Sequence, residues 1–159
     1  MAGSEPHRIR VGVADMAVTD NGANLVTSGL GSCVAVGLHD QNGNGGLLHA
    51  MLPKAPTDAV DQAKYVDSGL EAMKDELSQL GANTRSLTAK IAGGSKMLDL
   101  GGDDPVGMKN VRAAEAALER AGIDVEGADT GGDTGRSVSF RPETGTMRIE
   151  QVDADPLKL

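Results

Sequence analysis

The amino-acid sequence predicts an α/β or α+β fold in which mixed β-strands accompany two main helices. Three observations favour this class. Short apolar runs typical of strands fill the first third of the 159 residues, two amphipathic helical patterns occupy the middle, and a strand hairpin lies near the end. The length suits a single domain covering residues 1–159, and we expect about residues 1–7 and 153–159 to be flexible termini.

Four strands are predicted before the first helix. Alternation of apolar with smaller or polar residues predicts a strand at residues 8–13. Short apolar runs bounded by turn residues predict three more, at residues 25–27, 33–38 and 47–52. The DQNGNGG segment at residues 40–46 is typical of a loop and separates the last two strands.

The clearest predicted helix covers residues 57–80. Its apolar side chains recur at steps of three and four and form one stripe, composed of Val66, Leu70, Met73, Leu77 and Leu80. Thr57 or Asp58 can cap its start, and Gly81 is placed to end it.

The second half of the sequence predicts one more helix among strands. This helix covers about residues 105–121 and is followed by Gly122. A strand at residues 87–92 precedes it, and further strands follow at residues 123–125, 137–140 and 146–149, the last two as a hairpin.

The composition limits the classes of function. A single cysteine excludes an internal disulfide and a multi-cysteine zinc site. No apolar stretch approaches the roughly 20 residues that span a bilayer, so we expect a cytoplasmic protein that is not membrane-inserted. The 23 acidic against 15 basic residues give a net charge of −8 and predict an acidic surface, which argues against nucleic acid as a partner. We interpret this acidity as adaptation to a salty, halophilic cytoplasm.

Cys33 is the strongest candidate for chemistry because it follows a glycine-rich turn directly. A free cysteine is more often inert packing than a nucleophile. Gly29 and Gly31 permit a tight turn, however, and Gly31, Ser32 and Cys33 can direct backbone N–H groups at a developing oxyanion.

A thiol nucleophile needs a base, and three histidines compete for that role. His7 lies in a polar N-terminal arm, and His39 lies about 20 Å from Cys33 along the same strand. His49 follows on the next strand, but a hairpin centred on the NGNG segment would place it opposite Leu38. From the residues alone, His49 is slightly more typical of a core histidine.

Several segments occur in the order that is typical of one family. They are T-x-GLGSCVAV from Thr27, HAMLP at 49–53, KYVD at 64–67, AKIAGG at 89–94, KNV at 109–111, and DTGGDTGRSVSF followed by PETG at 129–145. From about residue 9 to residue 152 the sequence therefore resembles the chemoreceptor glutamine deamidases, the CheD family.

The resemblance implies a cysteine hydrolase, a protein-glutamine glutaminase that converts glutamine side chains of chemotaxis receptors to glutamate and releases ammonia. It implies a layered α-β-β sandwich, and it assigns the family's catalytic cysteine, histidine and threonine to Cys33, His49 and Thr27. No metal or organic cofactor is implied. From the residues alone, Thr27 reads as an ordinary strand residue.

The resemblance also implies partners. These are the cytoplasmic helical bundle of the receptors and a CheC-type phosphatase that can cover the active-site face. Three residues of the matching segments are further candidates for contact with substrate or partner, namely Tyr65, Asp67 and Arg136.

Two alternatives stay open from the sequence. The chain can be an adaptor whose main task is to bind the phosphatase or another signalling partner. It can also be a general thiol amidase or peptidase that acts on small substrates.

Overall fold

The computed structural model describes residues 7–96 and 105–159, so most of the N-terminal segment for which we expect flexibility lies outside the described residues. Within the described part, the strands in chain order are β1 Arg8–Arg10, β2 Asp15–Thr19, β3 Asn24–Leu30, β4 Val34–His39, β5 Gly45–Ala50, β6 Thr88–Gly93, β7 Asp124–Thr130, β8 Arg136–Arg141, β9 Thr146–Gln151 and β10 Leu157–Lys158. The helices are α1 Val66–Gln79 and α2 Val106–Arg120. No helix of the described part is both long and apolar enough to cross a membrane.

The strands form two five-stranded sheets. The first sheet has the order β1-β3-β8-β9-β10 and the second the order β2-β5-β4-β6-β7. Each is mixed, because β1 and β3 run parallel in the first sheet and β6 and β7 run parallel in the second, while the other neighbours are antiparallel. The prediction of an α+β fold with mixed strands and two main helices is confirmed.

Two buried clusters hold three layers together. One lies between the second sheet and the helices and includes Val36, Leu48, Met73 and Leu118. The other lies between the sheets and joins residues of the first sheet, such as Phe140, to Leu47 and other residues of the second. Helices, second sheet and first sheet are therefore stacked in that order, with one buried cluster in each of the two spaces between layers.

The first helix is shorter than the sequence predicts. α1 begins at Val66, where the apolar stripe begins, and neither Thr57 nor Asp58 caps it. Among the preceding residues Val60 is 95% exposed, and Gln62–Lys64 form a separate 3₁₀ turn that buries only Ala63. The predicted end is confirmed, because Gly81 adopts a φ of +92° that favours glycine.

The hairpin of β4 and β5 has a different register from the one that the NGNG segment predicts. His49 lies opposite Ala35, not opposite Leu38. The turn is centred on residue 42 because the buried carboxylate of Asp40 accepts hydrogen bonds from the N–H groups of Asn42 and Asn44. This shift of three residues along β4 brings His49 close to the start of the strand.

The remaining elements agree with the sequence except at two strands. The helix predicted at 105–121, its terminal Gly122 and the final hairpin are present as α2 and β8–β9. The sequence reading missed β2, although Met16 and Val18 alternate with less apolar neighbours there. It also missed β10, which pairs with β9 within the segment 153–159.

Candidate active site

Thr27 and His49 meet across the space between the sheets. Thr27 lies on β3 of the first sheet and His49 on β5 of the second, and both are buried. The Thr27 Oγ1 atom is 2.7 Å from His49 Nδ1 and 2.7 Å from the main-chain oxygen of Val11. Two residues that are 22 positions apart in the chain are thereby hydrogen-bonded.

These two contacts assign the proton on the imidazole. A carbonyl oxygen only accepts, so the Thr27 hydroxyl must donate its hydrogen to Val11 O. The Thr27 oxygen can then only accept from the ring, which requires that His49 Nδ1 carries the hydrogen. In the neutral ring His49 Nε2 is therefore the free lone pair, and it is buried without a hydrogen-bond partner in the described residues.

The segment that connects β1 to β2 holds this pair in place. Val11 donates its N–H to Val26 O at 2.7 Å and accepts from Thr27. Three residues later Ala14 donates its N–H to His49 O at 2.9 Å, with a φ of 59° that is unusual for a residue other than glycine. One short crossing segment thus contacts both Thr27 and His49.

Cys33 lies on the same face of the second sheet as His49. Residues directly opposite each other in a sheet share a face, as do residues two apart in one strand. Ala35 is opposite His49, and Cys33 precedes Ala35 by two residues and packs in the same cluster between the sheets. Such diagonal neighbours have Cα atoms about 7–8 Å apart. No hydrogen bond joins the Cys33 Sγ and His49 Nε2 atoms within the described structure.

Burial keeps both groups neutral at rest. Burial raises the pKa of the Cys33 thiol above its ordinary value, and the residue's own backbone N–H opposes this rise. Burial lowers the pKa of His49 below its ordinary value. Near neutral pH the resting site therefore holds a thiol and an imidazole, not a preformed ion pair.

The turn before Cys33 leaves two backbone donors available. Gly29 has a φ of +71°, and the N–H of Gly31 bonds back to Gly29 O at 3.1 Å. Neither the Ser32 nor the Cys33 N–H has a hydrogen bond to another residue in the described part of the chain. Of the two residues predicted for the oxyanion turn, Ser32 has a free N–H, whereas that of Gly31 is already engaged.

Other chain segments pack closely around this turn. Gly94 donates its N–H to Cys33 O at 2.8 Å, and Ser95 donates to Gly31 O at 2.8 Å. A Cβ on Gly93 would lie 2.4 Å from Cys33 O, so only glycine fits there. The Gly93–Gly94 pair therefore permits close backbone approach to the turn.

Asn110 is a residue of this region that sequence reasoning did not single out. It is fully buried on α2 and donates to Ser32 O at 2.8 Å and to Met51 O at 2.9 Å. A polar residue within the otherwise apolar stripe of the predicted second helix was the signal that could have identified it.

Arg136 is buried close to the glycine pair, and its Nε and Nη1 atoms form hydrogen bonds within the protein. Its Nε atom is 3.0 Å from Asp129 Oδ2, and its Nη1 atom is 2.8 Å from Ser95 Oγ and 3.3 Å from Gly93 O. These contacts join β8 to the end of β6 and favour a bracing role over direct contact with a substrate.

Tyr65 and Asp67 lie at the start of α1. Tyr65 forms an isolated parallel bridge with Leu52, just beyond the end of β5. Asp67 accepts from the N–H groups of Ala55 and Ser68 and lines a groove of about 540 Å³. Its lining combines apolar surface with four basic side chains, those of Lys54, Lys109, Arg112 and Arg120.

The remaining candidates for chemistry lie apart from this site. His39 is at the opposite end of β4, where its Nε2 atom is 2.9 Å from Thr88 Oγ1. The described residues contain no group of three or more His, Cys, Asp or Glu side chains placed to hold a metal ion.

Comparison with known proteins identifies the family. The family described as CheD chemotactic sensory transduction matches residues 51–151, which is more than half of the chain. The chain belongs to the CheD family. A CheD relative from Haloarcula marismortui, named probable chemoreceptor glutamine deamidase CheD, is 40% identical over 98% of this chain and 92% of its own length.

The comparisons also give a further CheD relative and a weak structural match. The Thermotoga maritima protein named chemoreceptor glutamine deamidase CheD is 38% identical over 89% of this chain and 90% of its own length. A crystal structure of the Bacillus licheniformis hypothetical protein YfiH is 17% identical, with a TM-score of 0.48 over 72% of this chain and 50% of that chain. That structural likeness is too low to bear on the fold or the function.

Proposed function

We propose that this CheD protein is a chemoreceptor glutamine deamidase. It would hydrolyse specific glutamine side chains of methyl-accepting chemotaxis proteins to glutamate and release ammonia. The names of its CheD relatives support the substrate class. The observation that carries the mechanism is the hydrogen bond from His49 Nδ1 to Thr27, which leaves Nε2 as a base on the face that also carries Cys33.

The first half of the reaction forms a thioester. His49 Nε2 accepts the proton of the Cys33 thiol, and the sulfur attacks the carbonyl carbon of the glutamine amide. The tetrahedral intermediate collapses when the C–N bond breaks, and the imidazolium returns its proton to the departing nitrogen. Ammonia leaves, and the glutamyl group stays bound to sulfur.

The second half returns the enzyme to its resting state. His49 Nε2 accepts a proton from water, whose oxygen attacks the thioester carbon. The C–S bond breaks, the sulfur recovers a proton, and the product is a glutamate side chain. Atoms and charges balance with water as the sole co-reactant, so the mechanism has no step that calls for a metal or an organic cofactor.

The oxyanion of both intermediates would lie against the turn before Cys33. Its negative charge needs donors that point at the carbonyl oxygen and are not used elsewhere. The N–H of Ser32 meets the second condition, and that of Cys33 has no partner in another described residue. Gly31 would contribute the shape of the turn, because its own N–H is bonded to Gly29.

Thiol and imidazole must approach each other for the first proton transfer. They share a face but are not hydrogen-bonded in the structure without substrate. Catalytic hydrogen bonds often tighten only in the complex with substrate. A rotation of the Cys33 side chain about its χ1 angle, which moves Sγ but leaves the backbone unchanged, is the simplest motion that would shorten this distance.

The experiment compares wild type, Cys33→Ala and His49→Ala on the cytoplasmic fragment of a receptor. Mass spectrometry of the peptides detects each conversion of glutamine to glutamate, and released ammonia is measured in parallel. We expect both variants to lose activity by at least about 10³-fold while their circular dichroism stays that of the wild type. Full activity of Cys33→Ala would refute the thiol mechanism.

Binding of a CheC-type phosphatase is a second part of the proposal, which the resemblance of the sequence to the family supports. If the adaptor alternative were right, Cys33→Ala would still restore signalling in cells that lack the protein. If catalysis is the main task, Cys33→Ala binds the phosphatase and fails to restore signalling. The two readouts separate the enzyme from the adaptor.

The composition supports a cytoplasmic, salt-rich setting for this activity. The net charge of −8 predicts an acidic surface that a high salt concentration would screen. The receptor bundle, as a helical substrate, would present its glutamine to the edge between the sheets where Cys33 lies.

A further inference from the structure

A polar side chain occupies the buried face of α2, next to the turn that carries Cys33. The buried residues of this helix recur at steps of three and four and are Gly107, Asn110, Ala114 and Leu118. Asn110 is the one member with a polar side chain, and it is fully buried. An apolar residue at this position would need no hydrogen-bond partner, so the amide calls for an explanation.

The amide of Asn110 bridges the ends of two neighbouring strands of the second sheet. Both contacts are made by Nδ2, which donates to Ser32 O at 2.8 Å and to Met51 O at 2.9 Å. Ser32 directly precedes Cys33, and Met51 follows His49 by two residues. The last regular pair of β4 and β5 is Val34 with Ala50, so the amide joins the two strands just beyond the end of their ladder.

The position of α2 makes this bridge rigid. A Cβ on Gly107 would lie 2.5 Å from Ser95 O and 2.6 Å from the backbone of Gly94, so the first turn of the helix contacts that segment directly. Gly94 and Ser95 in turn hydrogen-bond to Cys33 O and Gly31 O. Helix, glycine segment and turn therefore form one connected unit in which Asn110 reaches the strand of His49.

The carbonyl oxygen of the Asn110 side chain lowers the stability of the protein. Asn110 Oδ1 is buried and has no hydrogen-bond partner in the described residues. A buried acceptor without a partner lowers stability. Both hydrogens of the amide are used on backbone carbonyls at the site, and this favours a role in geometry over a role in stability.

We propose that Asn110 is a positioning residue, whose amide fixes the separation between the turn of Cys33 and the strand of His49. The proposal rests on the proposed function for its consequence in catalysis. Without the bridge, the turn and the strand end are free to separate. The thiol then meets the imidazole less often, and Cys33 becomes more open to water.

The test uses Asn110→Ala, with Leu118→Ala as its matched control. Leu118 is a buried residue of the same helix face, and its truncation lowers stability without touching the turn. Asn110→Ser is the second variant, which keeps a hydroxyl donor and leaves a smaller gap. Each protein is measured at a temperature well below its melting temperature.

The first readout does not depend on the receptor. Cys33 is the single cysteine of the chain, so the rate of its alkylation by iodoacetamide can be followed by mass. In the wild type, burial of the thiol slows this reaction. We expect alkylation to become several-fold faster in Asn110→Ala and to stay at the wild-type rate in Leu118→Ala.

The second readout is the deamidation of the receptor fragment. We expect kcat to fall about 10²-fold in Asn110→Ala, with KM nearly unchanged, because misplacement of reacting groups slows chemistry more than binding. Asn110→Ser should lie between Asn110→Ala and wild type in both readouts, whereas Leu118→Ala should keep its kcat. Faster alkylation together with slower catalysis is a result that a merely structural residue would not produce.

Two outcomes overturn the proposal. One is that Asn110→Ala keeps wild-type alkylation and kcat. The other is that it matches Leu118→Ala in every measurement. If Asn110→Ala does not fold, Asn110→Ser decides by the same comparison. A wild type without deamidase activity would refute the proposed function instead, and the alkylation rates would still show whether Asn110 holds the turn.

Discussion

Hydrogen bonds of single side chains determine where protons lie at this site. Thr27 accepts from His49 only because its own hydrogen is used on Val11 O. A valine at position 27 would have the same shape but neither bond, and the ring could then place its hydrogen on Nε2, where it would no longer act as the proposed base. We propose that Thr27 selects the tautomer of His49, and this role can be tested separately from that of Cys33.

Thr27→Val should lower kcat on a receptor fragment by about 10- to 10³-fold, less than the loss of His49, because the ring remains but its tautomer is no longer selected. Thr27→Ser, which keeps the hydroxyl, is the matched control and should keep most of the activity. Equal activity of the valine and serine variants would show that the hydroxyl has no part in catalysis.

The pH dependence of kcat should report the burial of His49. A general base works as the neutral ring, and burial lowers the pKa of His49 below about 6.5. We therefore expect the midpoint of the acid decline in activity to lie below pH 6.5. A midpoint above pH 6.5 would contradict this environment for the ring. The measurement is the initial rate of ammonia release at constant ionic strength.

Some secondary-structure elements are determined by residues close together in the chain, and others depend on contacts with distant residues. The stripe of α1 and its terminal glycine are visible in the sequence, and so is the final hairpin. The start of α1 is not visible in the sequence, because it depends on where the apolar stripe of the helix packs against the second sheet. The β4–β5 register depends on one carboxylate, that of Asp40, which binds its own turn and also the N–H of Asn83 at 2.9 Å.

Asp40→Ala should lower the free energy of unfolding by about 2–4 kcal/mol, because it removes a buried carboxylate that accepts four hydrogen bonds, from Asn42, Asn44 and Asn83. It should also lower deamidase activity, since a slip of one residue turns His49 to the opposite face of the sheet. Asp20→Ala, at an exposed turn, is the control and should change stability by less than about 0.5 kcal/mol. Urea denaturation measures both variants.

The carboxylate of Asp40 also determines how the stability of the protein changes at acid pH. Burial raises the pKa of Asp40, but hydrogen bonds from Asn44, Asn83 and Asn42 outweigh it and hold the pKa below its ordinary value. Its contribution is therefore complete above about pH 4 and is lost as the pH falls through the lower folded value. The pH dependence of unfolding in Asp40→Ala should lack this loss.

A net charge far from zero lowers the stability of a folded protein through self-repulsion, which salt screens. The net charge of this protein is −8, and the Debye length falls from about 10 Å at 0.1 M salt to about 3 Å at 1 M. We expect the melting temperature to rise over this range of KCl, because screening weakens the repulsion between like charges. Replacement of the exposed Glu115 and Glu119 by glutamine should make this rise smaller. An unchanged melting temperature would argue against the salt-adapted interpretation.

Short-range patterns in the sequence were enough to predict the helices, most strands, the terminal hairpin and the glycine turn before Cys33. Each of these depends on residues within a few positions of one another, so periodicity and turn chemistry are sufficient. The resemblance to the CheD family added Thr27 as a candidate, and it assigned a catalytic role to His49, which spacing alone had left plausible but unproven.

The tertiary structure decided how these pieces meet. The bond from His49 to Thr27 crosses from one sheet to the other, and the contacts of Asn110 join positions 78 and 59 residues apart. Such pairs follow from sheet order, strand register and the packing of α2, which are set by the burial of the whole core. No local pattern encodes them, and so the bond of His49 to Thr27 and the bridge of Asn110 from Ser32 to Met51 emerge only in the folded protein.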